Sequence, residues 1–379
     1  MSGFPINLLS EYQTDTKSSN RDYAKEKANL LSENLDAFKV GATITQVRNT
    51  PFAVLCDLVP DEGVSVKKIK DLRVDLEVRL GLPVEIVSLG EQRFTVKIAL
   101  KEWSRPVIGL RKVLESEDFM TNEYQLPIAA GMDVMGNPFV FDLAETPHLL
   151  VAGCTGAGKS TFLNDLILSL IYSRSPKEVK FLMIDPKGVE LVPYNGIPHM
   201  QKSVVTDVKD AIELLQTIST VSRERFDLFG EENARDIDAY NAKMPEGEKI
   251  PRVVIIVDEF MDMMKASPKE VEGVIKALAS SGRATGIHLV LSTQRPSSDV
   301  VTSSIKGNIP CRASFVVVDK RESKIIIDRT GAERLLGNGD MLYSATESSK
   351  PIHAQASYVS YEDVDKVLRH LRFNRLKVT

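Results

Sequence analysis

Residues 153–160, with the sequence Gly-Cys-Thr-Gly-Ala-Gly-Lys-Ser, have the spacing of a loop that binds phosphate groups. Glycines let backbone N–H groups turn toward a polyanion, Lys159 adds a positive charge, and the Ser160 hydroxyl is a ligand for Mg²⁺. We therefore predict a site for ATP and Mg²⁺, the alternative being an ordinary glycine turn between a strand and a helix. The predicted nucleotide-binding residues are Gly153, Thr155, Gly156, Ala157, Gly158, Lys159, Ser160 and Thr161.

Two carboxylates, Asp258 and Glu259, directly follow a run of β-branched residues at 253–257. Acidic residues at the carboxyl end of a buried strand face the crevice in which open α/β sheets bind their ligands. We expect Asp258 to bind Mg²⁺ together with Ser160, and Glu259 to orient or deprotonate the attacking water. The alternative is a solvated strand end without a chemical role.

Polar residues also follow two other apolar runs. Gln294 comes after the run 289–291 and is suited to sensing the γ-phosphate, although a strand end that satisfies its own backbone gives the same pattern. Asp185 and Lys187 flank a proline after the run 181–184. We expect both of these charges to point into the same crevice.

Apolar runs alternate with amphipathic stretches from Pro147 onward. The runs are nearly continuous in hydrophobic residues, which is typical of parallel strands buried on both faces. Residues 126–379 are therefore predicted to form one α/β domain. Predicted strands lie at 149–152, 181–184, 253–257, 289–291 and 313–318, and predicted helices at 159–172, 208–229, 269–281 and 321–327.

A smaller module precedes this domain. Residues 21–38 and 66–80 have apolar side chains at helical spacing, and short apolar runs between and after them predict strands. The first twenty residues are polar and aperiodic, so we expect a flexible or partner-docked arm. The chain thus divides into an arm at 1–20, a small α+β module at 21–115 and an ATPase domain at 116–379.

Composition limits the partners and the compartment. Of 379 residues, 48 are basic and 52 acidic, so the formal net charge is −4 and any contact with DNA must be local. Three widely spaced cysteines argue against a disulfide framework or a zinc site and favour the cytoplasm. One of them, Cys154, we interpret as a small residue in a tight turn and not as a redox thiol. No apolar run approaches the ~18 residues of a membrane span.

Several strings beyond the phosphate loop resemble the motor region of the FtsK/SpoIIIE DNA translocases. These strings lie at 147–153, 183–187, 196–199, 204–207, 257–260, 286–297, 308–310 and 336–342. The preceding module resembles the smaller α domain of the same family, so the resemblance covers nearly all of the chain after the arm. It implies a RecA-like P-loop ATPase fold with a mainly parallel sheet.

The resemblance also implies a hexameric ring that hydrolyses ATP at its subunit interfaces and passes double-stranded DNA through its pore. Hydrolysis at an interface needs an arginine from the neighbouring subunit. Arg283 matches the family's position for this arginine, and Arg312 is the second candidate. An exposed arginine that complements a helix end is the alternative interpretation of Arg283. The catalytic set is then Lys159, Asp258, Glu259, Gln294 and Arg283.

Contacts with DNA in such a ring are made to phosphates, by side chains on loops that face the pore. The resemblance places these loops near 233–235 and 303–308. Arg235 and Lys306 would then form a positive lining on an acidic protein. The alternative is that both are ordinary surface charges.

Two departures from the family shape the functional hypothesis. Members that act at the septum carry membrane helices ahead of the motor and a DNA-reading γ domain behind it, and we expect neither here. We expect a cytoplasmic motor with a possible loading partner reached through the N-terminal arm. The alternatives are a related motor for conjugative DNA transfer or protein export, and an adaptor whose assembly is controlled by a nucleotide.

Overall fold

The structure, a computed structural model, describes residues 4–12, 19–50, 53–90, 93–100, 107–345 and 350–378. The chain divides into two compact units. The larger unit comprises Met1–Glu11, Ile108–Asp133 and Pro138–Thr379, and the smaller comprises Tyr12–Val107 with Val134–Asn137. The sequence analysis placed the boundary between module and ATPase domain eight residues later, at 115.

The smaller unit is an antiparallel sheet covered by helices. Its first helix supplies Leu31 and Leu35 to a core that also contains Phe94 and Val96. In the sheet, the first and second strands along the chain are followed by the fourth and then the third. The predicted helix 66–80 is two helices, because the backbone breaks at Leu72. The elements are α1 (Ser19–Ala37), β1 (Ala42–Asn49), β2 (Ala53–Pro60), α2 (Val66–Asp71), α3 (Arg73–Leu80), β3 (Val84–Gly90) and β4 (Arg93–Ala99).

The larger unit is an α/β domain in which strands and helices alternate along the chain. Its first elements are α4 (Leu110–Leu114), α5 (Glu117–Met120), β5 (Pro127–Asp133), β6 (Pro138–Asp142), β7 (His148–Ala152), α6 (Lys159–Ser173), β8 (Val179–Ile184) and α7 (Val208–Glu231). Next come α8 (Ile237–Lys243), β9 (Arg252–Val257), α9 (Met261–Ala266), α10 (Pro268–Thr285), β10 (Ile287–Thr293) and α11 (Ser303–Asn308). The last are β11 (Cys311–Phe315), α12 (Lys320–Ile327), β12 (Asp340–Ser344), β13 (Ile352–Ala356) and α13 (Tyr361–Val378).

One nine-stranded sheet organises this unit, in the order β6-β5-β13-β12-β11-β7-β10-β9-β8. The five strands β11, β7, β10, β9 and β8 are parallel, and the remaining pairings are antiparallel. This confirms the predicted P-loop fold class with a mainly parallel sheet and adds an antiparallel half that the sequence analysis missed.

The parallel strands are buried on both faces, which explains their continuous apolar sequences. Alternate residues of β7, β9 and β10, such as Leu150, Ile255 and Leu289, pack in one core with α7, α10 and α12. Their neighbours in sequence, such as Leu149 and Val254, are fully buried as well. The register pairs Ala152 with Thr293, so the carboxyl ends of β7 and β10 lie side by side.

The N-terminal residues 4–11 pack within the larger unit, whereas the sequence analysis expected a flexible or partner-docked arm at 1–20. The Phe4 ring meets Tyr172 and His370 edge-on, and Leu9 is buried. Ser10 donates its N–H and its hydroxyl to Asp363 at 3.0 and 2.7 Å. Residues 13–18 lie outside the described residues. Among the described helices, none combines the length and the apolar character needed to cross a membrane.

Candidate active site

The predicted phosphate loop connects the carboxyl end of β7 to the first turn of α6. Gly156 and Gly158 have φ values of +78° and +107°, a region that favours glycine. A Cβ atom on Gly153 would lie 2.6 Å from the Cβ of Phe315, so the loop passes close to β11. Ser160 and Thr161 lie in the first turn of α6, where free N–H groups favour anions.

The lysine of the loop and the first carboxylate of the acidic pair form a buried ion pair. Nζ of Lys159 lies 3.0 Å from Oδ1 of Asp258, and the two side chains are 4% and 2% exposed. The ammonium also donates to the Ser292 hydroxyl at 2.6 Å. Three neighbouring strands, β7, β10 and β9, therefore deliver these three side chains to one point at their carboxyl edge.

Gln294 reaches the phosphate loop directly. Its Oε1 accepts a hydrogen bond from the Thr155 hydroxyl at 2.9 Å. Its backbone N–H donates to both carboxylate oxygens of Glu259, at 3.3 and 3.2 Å. Gln294 thus joins the loop to the second acidic residue.

Glu259 is held in a specific orientation. It is 1% exposed, its φ is +58°, and its Oε1 accepts the Thr293 hydroxyl at 2.8 Å. A positive φ is uncommon for a residue with a side chain and costs energy that the surrounding structure must offset. The Nζ of Lys187 lies 3.5 Å from its other oxygen, Oε2.

Asp185 and Lys187, the two charged residues after β8, point in different directions, contrary to the expectation that both point into the crevice. The buried carboxylate of Asp185 accepts hydrogen bonds from four backbone N–H groups of its own loop, at 2.9 to 3.2 Å. Those groups belong to Lys187, Gly188, Glu190 and Leu191. Only Lys187 reaches the site, because the loop that Asp185 organises directs it there.

A second loop that the sequence analysis left without a role supports the phosphate loop. The N–H of Gly339 donates to Ala157 O at 2.9 Å, and a Cβ on Gly158 would lie 2.6 Å from that same nitrogen. Gly339 O in turn accepts the N–H of Ala356 on β13 at 2.7 Å. The glycine-rich string at 336–342 could therefore have indicated this contact, because its glycines let its backbone approach the backbone of the phosphate loop closely.

The donor set suits Mg²⁺ bound jointly by protein and phosphates. Among the described residues there is no cluster of three or more His, Cys, Asp or Glu side chains that could hold a metal alone. Ser160 and Asp258 supply a hydroxyl and a carboxylate, the few hard oxygen ligands that Mg²⁺ takes from proteins when substrate phosphates complete its shell. Cys154 is not activated, since burial raises the pKa of its thiol.

The two candidate arginines differ in their surroundings. Arg283 is exposed in the last turn of α10, next to Gly282, whose Cα packs against His148 at the amino end of β7. The phosphate loop follows the other end of β7. At about 3.3 Å per strand residue, Arg283 therefore lies roughly 15 to 20 Å from the phosphate loop of its own chain. Arg312 is 12% exposed, pairs with Asp328, and donates to Ile326 O at 3.1 Å.

The two predicted DNA contacts also differ. Arg235 is 89% exposed just before α8, and its Nε lies 3.0 Å from the Asp236 carboxylate. Lys306 on α11 lies 2.6 Å from Asp328, the same carboxylate that binds Arg312. Both cations thus pair with a carboxylate of their own chain, but Lys306 is mostly covered whereas Arg235 projects into solvent.

Comparison with known proteins gives strong matches over the whole chain. The model of the FtsK/SpoIIIE family matches residues 109–298, and that of the FtsK alpha domain matches residues 4–99. The DNA translocase FtsK of Caldanaerobacter subterraneus is 44% identical over 373 residues, which cover 98% of this chain and 52% of that protein. The DNA translocase SftA of Bacillus subtilis is 41% identical over 354 residues, covering 92% and 37%. The chain spans about half the length of the curated relatives it matches, or less.

Solved structures with the same fold are more distant in sequence. The pCW3 conjugation coupling protein TcpA superposes with a TM-score of 0.63 at 23% identity, covering 92% of this chain and 99% of that one. EssC (ATPases 2 and 3) of Geobacillus thermodenitrificans gives a TM-score of 0.59 at 19% identity, covering 67% and 50%. At these identities the likeness establishes the fold alone.

Proposed function

Because the chain belongs to the FtsK/SpoIIIE family, we propose that it is an ATP-driven translocase of double-stranded DNA that works in the cytoplasm as a ring of six subunits. The observation that carries this proposal is the convergence of Lys159, Asp258 and Glu259 beside one phosphate loop. These are the side chains that bind a nucleoside triphosphate and activate water for its hydrolysis.

ATP binds in this proposal along the phosphate loop, with Lys159 facing the β- and γ-phosphates and the first turn of α6 donating N–H groups to them. Ser160 and Asp258 hold Mg²⁺, which when bound neutralises charge on the phosphate oxygens. Lys159 already lies beside Asp258, so the residues for the phosphates and for the cation are adjacent.

Glu259 orients the attacking water and accepts its proton. Thr293 and the N–H of Gln294 fix its carboxylate, and the side chain of Gln294 links it to Thr155 on the phosphate loop. This linkage supports a role for Gln294 in sensing the γ-phosphate. The buried position of Glu259 excludes bulk water that would compete for the carboxylate.

Arg283 completes the site of a neighbouring subunit. It lies at the edge of the sheet opposite to its own phosphate loop, so it is too far away to act there. A positive charge delivered across an interface stabilises the charge that spreads over the transferred phosphoryl group. Arg312 is the weaker candidate because Asp328 and backbone carbonyls engage its guanidinium.

DNA contacts come from Arg235 and Lys306, repeated by the symmetry of the ring. This arrangement concentrates positive charge in a pore on a chain whose formal net charge is −4. Phosphate contacts without base readout fit a motor that moves along any sequence, and they make DNA binding weaken steeply with salt.

The proposal is tested by measuring ATP turnover against the length of linear duplex DNA, with single-stranded DNA of the same lengths as the control. We expect stimulation that rises with duplex length and is weak with single strands. Turnover that is indifferent to duplex would instead indicate an ATPase for protein export. Tight ATP binding with negligible turnover in the presence of duplex would indicate a nucleotide-gated adaptor.

A further inference from the structure

Lys187 is a charged neighbour of the candidate site that the proposed hydrolysis does not yet use. Its Nζ lies 3.5 Å from Oε2 of Glu259, while the Thr293 hydroxyl binds Oε1 at 2.8 Å. The carboxylate is 1% exposed, and the lysine side chain is 46% exposed. The ammonium therefore lies at the solvent side of a buried carboxylate and holds the oxygen that Thr293 does not.

The position of Lys187 is built by the loop that follows β8. Asp185 is fully buried and accepts four N–H groups, including that of Lys187 at 3.2 Å. Gly188 follows with a φ of +68°, which reverses the chain directly after the lysine. A loop fixed in this way delivers the ammonium to one place at little cost in backbone entropy.

We propose that Lys187 is a positioning residue for ATP hydrolysis, which holds Oε2 of Glu259 so that the carboxylate faces the attacking water. The inference rests on the proposed function, because it assigns Glu259 to that water. The N–H of Gln294 donates to both carboxylate oxygens, and Thr293 and Lys187 add one contact each, to Oε1 and Oε2, which opposes rotation about the last bond of the glutamate side chain. Misplacement of a reacting group by about 1 Å costs up to roughly a hundredfold in rate.

If Lys187 only stabilised the fold, its removal would lower the thermal midpoint and leave the turnover of the folded protein unchanged. Without Lys187, the buried Glu259 carboxylate keeps its hydrogen bonds from the Thr293 hydroxyl and from the N–H of Gln294, and it loses a lysine that is 46% exposed. We therefore expect Lys187→Met to lower the thermal midpoint only slightly and to leave the affinity for ATP unchanged while turnover falls. If Lys187 bound the γ-phosphate itself, Lys187→Met would instead lower the affinity for ATP.

The experiment compares wild type, Lys187→Met, Lys187→Arg and a matched control, Lys202→Met, which removes an exposed lysine from the same unit. Duplex-stimulated kcat, KM for ATP and binding of a fluorescent ATP analogue are measured for each. We expect Lys187→Met to lower kcat roughly ten- to a hundredfold with KM within about twofold, Lys187→Arg to recover much of the loss, and Lys202→Met to match wild type.

A second measurement keeps the result decisive. In a Glu259→Gln background, single-turnover rates with and without Lys187→Met should be equal, because the lysine acts only through the carboxylate. The inference is overturned if Lys187→Met turns over like wild type, if it raises KM at constant kcat, or if its effect persists in the Glu259→Gln background. A wild type without ATP turnover would defeat the proposed function itself, which is a separate outcome.

Discussion

Lys159 and Asp258 form an ion pair in which Nζ lies 3.0 Å from Oδ1 and neither side chain is more than 4% exposed. Ser292 bridges the two, since its hydroxyl lies 2.6 Å from Nζ and 3.3 Å from Oδ1. Removal of one partner from such a pair leaves an uncompensated buried charge, whereas removal of both charges does not. The phosphate-binding lysine is therefore also a structural residue.

We expect Lys159→Ala to lower the free energy of unfolding by about 3 to 5 kcal/mol because Asp258 is left without its cation. Addition of Asp258→Asn should recover most of that loss, while neither protein binds ATP. Urea denaturation and titration with a fluorescent ATP analogue measure the two effects. Equal stability of the single and the double variant would show that the ion pair has no structural role.

Glu259→Gln separates binding from hydrolysis. The amide keeps the size of the side chain but cannot accept a proton from water, so kcat should fall by roughly 10²- to 10⁴-fold. ATP binding should persist, since Lys159 and the phosphate loop are untouched. Turnover equal to wild type would remove Glu259 from the mechanism, and parallel loss of ATP binding would indicate a folding defect instead.

Arg283 should act only in trans. Arg283→Ala and the Lys159→Ala/Asp258→Asn variant are each expected to be inactive alone, because one lacks the arginine and the other lacks the phosphate site. Mixed rings contain interfaces with an intact loop on one side and Arg283 on the other, so mixing should restore part of the duplex-stimulated turnover. The measurement is ATP turnover as a function of the mixing ratio.

Arg312→Ala provides the comparison for that experiment. Its side chain is fixed by Asp328 and by backbone carbonyls, so its loss should destabilise the fold locally. Mixing Arg312→Ala with the variant that lacks a phosphate site should then not show the complementation expected for Arg283→Ala. If Arg312→Ala complements the variant without a phosphate site and Arg283→Ala does not, Arg312 is the arginine that crosses the interface.

Sequence patterns identified the parallel half of the sheet and the residues at its carboxyl edge. The reason is local: strands β7, β9 and β10 are short and mostly apolar, β9 and β10 end in polar residues, and β7 runs into the first glycine of the phosphate loop. The positions of Lys159, Asp258 and Gln294 then follow from the geometry of parallel strands, without knowledge of any tertiary contact.

The remaining features depend on contacts between distant parts of the chain. Strand β13, Ile-His-Ala-Gln-Ala, alternates apolar and polar residues over only five positions, and its place between β5 and β12 depends on pairings with distant segments. Asp185 has the same sequence context as a site carboxylate, and only the fold of its own loop turns it away. The support of Ala157 by Gly339 joins residues 182 positions apart, which no local pattern reports.

DNA binding should respond in opposite directions to the loss of the two candidate DNA contacts and to the loss of a carboxylate that pairs with one of them. The Arg235→Ala/Lys306→Ala variant should lose duplex-stimulated turnover and show a smaller dependence of DNA affinity on salt. Asp328→Asn should raise duplex affinity several-fold, because Lys306 is released from its partner at 2.6 Å. Fluorescence anisotropy with labelled duplex at several salt concentrations measures both. Full stimulation in the double variant would rule out these two residues as the DNA contacts.

Asp165, on the helix that follows the phosphate loop, couples stability to pH. Complete burial raises the pKa of its carboxyl well above the usual value of 3.8. The Ser357 hydroxyl lies 3.0 Å from both Asp165 Oδ2 and Ala129 O, and it has one proton. That one proton is shared between two acceptors, and Asp165 Oδ1 has no hydrogen-bond partner among the described residues, so the ionised form of the buried carboxyl is poorly stabilised.

Folding is then accompanied by uptake of a proton at any pH between the pKa of Asp165 in the unfolded chain and its higher pKa in the folded protein. The stability that this proton contributes is complete below about pH 4 and falls by up to about 1.4 kcal/mol per pH unit as the pH rises. Asp165→Asn places a neutral side chain of the same size there without a proton from solution, so it should be more stable than wild type at pH 8, with a gap that narrows toward pH 5. Urea denaturation at both pH values measures this, and Asp227→Asn, an exposed change on α7, should follow wild type. A gap that stays constant between pH 5 and pH 8 would mean that Asp165 is ionised in the folded protein.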